Sequence, residues 1–415
     1  MRSEPEAVFV WVWLPGATEP VVAGRLDPSG PLVTFTYGQS YLEREDHIPI
    51  YLPELPLGRG PISPLVGDIP GCIADAAPDA WGQRVILNRL TGRADADPAE
   101  LGPLTYLIES GSDRIGALDF QASPTEYVPR ALERATLDEL AEAAKLVEEE
   151  VPLSPELDQA ILHGSSVGGA RPKALVDDGE ARLIAKFSST TDTFPVVKGE
   201  FVAMELARRA GIDVASVRLA TAHGRDALLV ERFDRPGGGR RRAMVSALTM
   251  LGLDEAGARY GSYADLADQV RARFTEPKAT LREIFSRIVF NVLCSNTDDH
   301  PRNHAAFWDG EALSLTPAYD ICPQLRGGGE AAQLMAIGRD GWRMSQVAGC
   351  VERASTYLLS EAEARQIVDE QIETIEGQWE EVCDLAELPE GARRAFRGRQ
   401  FLNPYALEGY KAAAS

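Results

Sequence analysis

Asn296-Thr297-Asp298-Asp299-His300-Pro301-Arg302-Asn303, followed by a hairpin pattern and then by Tyr319-Asp320, decides how this chain is read. Asn303 stands five residues after Asp298, and Asp320 arrives beyond the Asp309-Gly310 turn. One carboxylate to take a hydroxyl proton, with an amide oxygen and a second carboxylate to hold a divalent cation, is the equipment for moving a phosphoryl group. The stretch therefore predicts a reaction. It obliges the rest of the chain to supply a phosphate cradle, a lysine and a partner for that lysine.

Two other readings compete. His300 and His304 are four apart, and with Asp298 or Asp299 they suggest a hydrolytic metal site, as in a metal-dependent nuclease. Pro301 between them argues against the regular helix that reading needs. An Asx-rich turn also explains the composition. It leaves Asp320, arriving after a hairpin at the right remove, without a reason.

Upstream, Gly164-Ser165-Ser166-Val167-Gly168-Gly169-Ala170-Arg171-Pro172-Lys173 is rich in glycine, which lets backbone N–H groups approach phosphate oxygens. It is not a Walker loop, because Ala170 stands where lysine is required. Alone it reads equally as a plain flexible loop. Lys186 lies inside the apolar run Leu183–Phe187, where a kinase keeps the lysine that meets the nucleotide phosphates. Glu200, early in the next helix, is the expected partner. An outward-facing lysine on a half-buried strand is the simpler alternative. Val230-Glu231-Arg232-Phe233-Asp234 falls where a kinase hinge belongs, so its backbone is expected to meet the adenine.

The chain has 415 residues, 44% hydrophobic and 25% charged, as in ordinary globular proteins. Its net charge of −21 disfavours autonomous nucleic-acid binding. Arg240–Arg242 reads as a solvated flexible loop, and Arg393–Arg399 as a basic helix face that offers a modest hint of a nucleic-acid contact. Cys72, Cys294, Cys322, Cys350 and Cys383 are scattered without a C-x-x-C, which argues for a reducing cytosol and against disulfides or zinc. With no signal-peptide pattern and no apolar run of about 20 residues, a cytoplasmic protein with no membrane segment is expected.

Short strands over 8–14, 21–26 and 32–37, a helix opened by Ala77-Pro78-Asp79 and running to Leu90, and an end near Ser123 suggest an N-terminal β-rich module, 1–123. An acidic helix (137–150), the glycine loop, a hairpin (173–176 and 181–187, turning at Asp178-Gly179), a helix (196–210, closed by Gly211) and strands at 216–220 and 227–233 suggest a kinase N-lobe, 124–234. The remainder, 235–415, reads as a mostly helical C-lobe interrupted by strands at 305–308 and 312–315.

In this order, Ser166–Lys173, Ile184–Phe187, Val230–Arg235, Thr297–Asn303 and Leu315–Asp320 resemble the HipA family of bacterial serine/threonine kinase toxins. Leu52-Pro53 and Ala77-Pro78-Asp79 fit its N-terminal module, so the likeness covers nearly the whole chain. The resemblance implies an α+β, two-lobed kinase-like fold of the phosphatidylinositol-kinase type, whose Asp-x-His-x-x-Asn form appears at Asp298–Asn303. It implies ATP and Mg²⁺, with Asp298 as catalytic base and Asn303 and Asp320 as metal ligands. Nucleotide contacts are implied at Gly168, Gly169, Ala170, Arg171, Pro172, Lys173, Lys186, Glu231, Arg232, Phe233, His300, Asn303, Tyr319 and Asp320. It further implies autophosphorylation at Ser166, with Ser165 adjacent, and a translation component, an aminoacyl-tRNA synthetase, as substrate. A HipB-like DNA-binding antitoxin is the implied partner, with operator DNA met mainly through it.

Two departures stand out. Arg171-Pro172 replaces the Gln-Glu of the best-known member, which bears on the loop and its switch. Asp299 replaces a glycine after the catalytic aspartate, adding a carboxylate that would raise the pKa of Asp298 or bind a second cation. A non-catalytic co-repressor that only binds an antitoxin and its operator is the remaining alternative.

Overall fold

A computed structural model describes residues 4–92, 96–130, 135–149, 151, 153–154, 157, 161, 171–179, 181–189, 191–326 and 329–411. Gly164 to Ala170, including Ser165, Ser166, Gly168 and Gly169, lie outside the described residues. The chain divides into two compact units, one of Met1–Thr191, Ala220–Val245 and Phe307–Glu311, the other of Asp192–Leu219, Ser246–Ala306 and Ala312–Ser415. Helix Val196–Arg209 belongs to the second unit. Among the described residues, no helix is long and apolar enough to cross a membrane.

β1 (Val8–Val12), β2 (Val21–Ser29), β3 (Leu32–Tyr37) and β4 (Leu118–Gln121) form a sheet in the order β3-β2-β1-β4. β-Branched and aromatic side chains make β1, and most of it is buried. β2 outruns the expected end at Leu26 and carries Pro28 inside the strand, opposite Val33. Proline is tolerated there because β1 pairs with β2 only as far as Leu26, leaving the last residues of β2 with β3 alone. The turn falls instead at Gly30, in the left-handed region with φ +64°. The following helix spans Ala80–Thr91, with Asp79 as its N-cap and Pro78 just outside. The acidic helix is Leu137–Glu148, opened by a reciprocal cap between Thr136 and Glu139.

β5 (Lys173–Asp177), β6 (Arg182–Phe187), β7 (Val217–Ala222) and β8 (Arg225–Glu231) form a second sheet, β5-β6-β8-β7. Strand alternation buries Ala174, Leu183, Ala185, Phe187, Ala227 and Leu229 in a core with Trp81, Leu140 and Ala144. Lys186 is therefore on the opposite face, directly across from Lys173 in the β5–β6 register.

β9 (Ala243–Ser246), β10 (Ala305–Trp308) and β11 (Leu313–Leu315) make a third sheet, β11-β10-β9, with the β10–β11 turn at Gly310, φ +106°. In the second unit, helix Pro277–Leu293 is almost wholly apolar on its buried face and packs against helices Tyr263–Arg273, Val347–Glu352 and Glu361–Leu385. It leads straight into the stretch that opened the reading.

Candidate active site

Helix Pro277–Leu293 is capped by Cys294, and Ser295 then turns the chain sharply with φ +56°. The Asn296 amide returns to the Asn291 carbonyl at 2.8 Å, and the Asn296 side chain donates to Asn291 Oδ1 at 3.1 Å. Leu334 N donates to the Thr297 carbonyl at 3.1 Å. Neighbouring aspartates then part: Asp298 is exposed, whereas Asp299 is buried.

Asp299 Oδ2 accepts from the Tyr263 hydroxyl and from Asn291 Nδ2 (2.9 Å), and His304 Nε2 lies 2.8 Å away. The Tyr263 and His304 rings meet edge to face at 5.4 Å. Burial by itself raises the Asp299 pKa, but His304 and the Tyr263 hydrogen bond outweigh it and keep the group ionised below the usual carboxylate range. Tyr263 is pushed well above its ordinary value, by burial first and by Asp299 second. His304, a candidate metal ligand in the sequence, is thus a partner of Asp299. Among the described residues, no group of three or more His, Cys, Asp or Glu is arranged to hold a metal ion.

Asp298 has the opposite environment. Partial burial raises its pKa, His300 works against that, and the carboxylates of Asp320 and Asp299 add to the rise. One of the two roles expected for Asp299 is therefore present, though as the smallest of these effects. His300 precedes a single 3-10 turn, Pro301–Asn303, which Pro301 starts without needing an N–H. The Asn303 amide donates to the His300 carbonyl at 2.8 Å, and Asn303 is buried.

Asp320 is delivered by a tethered strand end. Ala318 exchanges backbone hydrogen bonds with Asp213 and Ala215 at 2.7 and 2.9 Å. Buried Arg287 donates to the Thr316 carbonyl at 2.9 Å. The Tyr319 hydroxyl donates to the Arg302 carbonyl at 2.7 Å, tying the Asp320 segment to the turn that carries Asn303. Asp320 itself has φ +60°, a strained backbone for a residue with a side chain. Asp298 and Asp320, near enough for their charges to oppose one another, and the turn carrying Asn303, tied to the Asp320 segment by the Tyr319–Arg302 hydrogen bond, lie within one unit.

In the first unit the expected residues separate. Lys186 is half-buried and lies on the sheet face away from the core. Lys173 is 2% exposed, and its ammonium pairs with Asp79 Oδ2 at 3.1 Å while its carbonyl accepts from Trp81 Nε1. Pro172 is buried, with its carbonyl bound by Phe187 N. Lys173 and Pro172 thus also serve the fold. The Arg232 guanidinium is buried between Asp113 and Asp234, its amide donates to the Arg182 carbonyl, and its carbonyl accepts from Arg235 N. Its side chain is committed to the fold, while its carbonyl keeps a second lone pair. Arg171 is half-buried and Glu231 exposed; Phe233 is half-buried, edge-on to Phe307 at 5.8 Å. Lys186 and Glu200 fall in different units.

The sequence reading missed Tyr263, Asn291 and Arg287 as parts of the frame around Asp298 and Asp320. A hydroxyl or amide inside an apolar helix face was the available signal, since buried polar groups need partners.

Comparison with known proteins matches the chain in two consecutive parts. Residues 12–121 match the HipA N-terminal domain, and residues 165–379 match the HipA-like C-terminal domain. The chain is 26% identical over 383 residues to a Sinorhizobium fredii protein named "Putative kinase Y4mE", covering 81% of this chain and 87% of that one. It is 29% identical over 185 residues to the serine/threonine-protein kinase toxin HipA of Shewanella oneidensis, covering 38% and 42%. Among solved structures it is similar to a chain of the Shewanella oneidensis MR-1 complex of HipA, HipB and operator DNA. That match has a TM-score of 0.68 and 19% identity, over 93% of this chain and 97% of the other, a likeness of fold.

Proposed function

Because the chain belongs to the HipA family of kinase toxins, we propose that it is an ATP- and Mg²⁺-dependent serine/threonine protein kinase acting as a growth-arresting toxin. The observation that carries this reading is the exposed Asp298 carboxylate beside Asp320, with Asn303 bound to the same frame through Tyr319 and Arg302. Asp298 orients the acceptor hydroxyl and takes its proton as the new O–P bond forms and the bond to ADP breaks. Its raised pKa suits a base.

The Asn303 amide oxygen and the Asp320 carboxylate are hard oxygen donors, the kind Mg²⁺ prefers, so the residues present fit the ion. When bound, Mg²⁺ neutralises charge on the β- and γ-phosphates. Lys186 is the lysine that meets the phosphates, and Gly168, Gly169, Ala170, Arg171, Pro172 and Lys173 supply the other contacts to them. Glu231 and Phe233 border the adenine. His300 orients the carboxylates, and Tyr319 keeps Asp320 in register. The three-part division 1–123, 124–234 and 235–415 is the working domain scheme.

Family membership supports the rest of the reading. The substrate is a translation component, an aminoacyl-tRNA synthetase, and Ser166 is the autophosphorylated residue. The partner is a HipB-like antitoxin that carries the complex onto operator DNA.

Purified protein with labelled ATP and Mg²⁺ should label itself or a lysate protein. Asp298→Ala should abolish the transfer, by at least about 100-fold, as expected for loss of a positioned base. No transfer by wild type, or equal transfer by Asp298→Ala, would overturn the reading.

A further inference from the structure

We infer that Asp299, held by Tyr263, Asn291 and His304, is a positioning residue that sets the orientation of Asp298; the inference rests on the kinase reading above. Asp298 and Asp299 are adjacent, one exposed and one buried, so anchoring the second fixes the direction of the first. The anchor draws on separate parts of the second unit: the start of helix Tyr263–Arg273, the end of helix Pro277–Leu293, and His304 after the 3-10 turn.

Asn291 gives the arrangement its particular form. Its side-chain amide donates to Asp299, while its Oδ1 and its backbone carbonyl both accept from Asn296. One helical residue therefore grips the loop on both sides of Thr297-Asp298. The Leu334 amide holds the Thr297 carbonyl between those grips. Asp298 is left as the exposed residue of a segment tethered on either side.

The chemistry of the anchor also excludes the second-cation role for Asp299. The groups on Oδ2 are a phenol O–H, an amide N–H and an imidazole nitrogen, and the carboxylate is 3% exposed. Within the His304 ring, Nδ1 is buried without a hydrogen-bond partner, so the ring's one strong contact is the one to Asp299. These are fixtures for a side chain that stays in place.

Asp299→Ala leaves three donors without an acceptor and frees the segment, whereas Asp299→Asn keeps an oxygen for them. We expect Asp299→Ala to lower kcat on the order of 100-fold, the effect of an ångström-scale misplacement, with the KM for ATP changed less than about twofold. Asp299→Asn should recover kcat to within about fivefold of wild type. Tyr263→Phe, which removes one hydroxyl and no volume elsewhere, should lower kcat by about fivefold at constant KM. Unchanged kcat in Asp299→Ala and Tyr263→Phe, a loss taken up in KM, or an Asp299→Asn variant as slow as Asp299→Ala would overturn the inference.

Hydrogen exchange over residues 296–299 of the same proteins, without nucleotide, separates this inference from the kinase reading. The amides should exchange at least about tenfold faster in Asp299→Ala. If wild type transfers no phosphate, the kinase reading fails, and unchanged exchange would still overturn the anchor.

Discussion

Asp298 keeps its proton more tightly than a free aspartate, because folding takes its carboxylate partly out of water and sets it near Asp320 and Asp299. The sign of the stability effect follows from that direction. A carboxyl whose pKa is higher in the folded state binds more protons there. Stability therefore falls as pH rises from the unfolded value, about 3.9, through the folded one, and the deficit stays at neutral pH. Asp298→Asn removes the charge and the deficit together. Measured without nucleotide or Mg²⁺, the Asn variant should melt at or above wild type at pH 7, and the gap should close by about pH 3. An Asn variant that melts below wild type at pH 7 would show that the carboxylate stabilises this fold. Asp299 behaves in the opposite way because its partners, and not its neighbours' charges, dominate. Two adjacent aspartates thus have opposite environments, one exposed as the proposed chemistry needs and one buried and held.

At the scale of elements, the β5–β6 hairpin places Lys173 and Lys186 directly opposite one another, an unfavourable pairing of like charges. The N-cap of helix Ala80–Thr91 offsets it: Asp79 accepts from Gly82 N through Oδ1 and from Lys173 through Oδ2. Asp79→Ala should cost about 3 kcal/mol, because it takes a carboxylate away from a buried ammonium and removes a helix cap. That is the low end for breaking a buried pair, since Asp79 itself is partly exposed. Adding Lys173→Met should return about 2 kcal/mol and leave the cost of the cap. Urea midpoints measure both, and a cost below about 1 kcal/mol for Asp79→Ala would refute the account. The hairpin itself was legible in the sequence, as were the helix end at Gly211 and the turn at Gly310, because each is decided by a few contiguous residues. The spacing on which the proposed chemistry rests is likewise a matter of a few contiguous residues. The ion pair of Arg232 was not legible because its partner Asp113 lies 119 residues earlier. Asp299 had no assigned role because Tyr263 is 36 residues away. No periodicity connects such pairs; only the packed fold does.

At the scale of the whole molecule, the question is whether a chain of net charge −21 can meet DNA by itself. Its two basic runs were the candidates, and both are engaged internally. Arg241 stacks on Trp13 and donates to the Ser112 carbonyl, and Arg242 lies over Phe307, so these two cations have internal partners although the loop from Pro236 to Arg240 is exposed, as the sequence suggested. In the later run, Arg393 pairs with Asp384 and Glu380, Arg394 faces Glu390, and Arg397 approaches Glu380. Its charges are largely balanced on its own surface. Phosphate binding releases counterions only where unneutralised cations meet the backbone, and here few are offered. The isolated chain should therefore leave an operator duplex unshifted at about 1 μM in 150 mM salt, at the weak end of non-specific affinity. Addition of a basic DNA-binding antitoxin should carry it into a ternary complex. A Kd below about 1 μM for the chain alone, weakening steeply with salt, would mean that it contacts DNA directly and would revive the co-repressor reading. Asp298→Ala should leave assembly with the antitoxin unchanged, because that carboxylate is exposed and is proposed to serve the chemistry, not the frame beneath it.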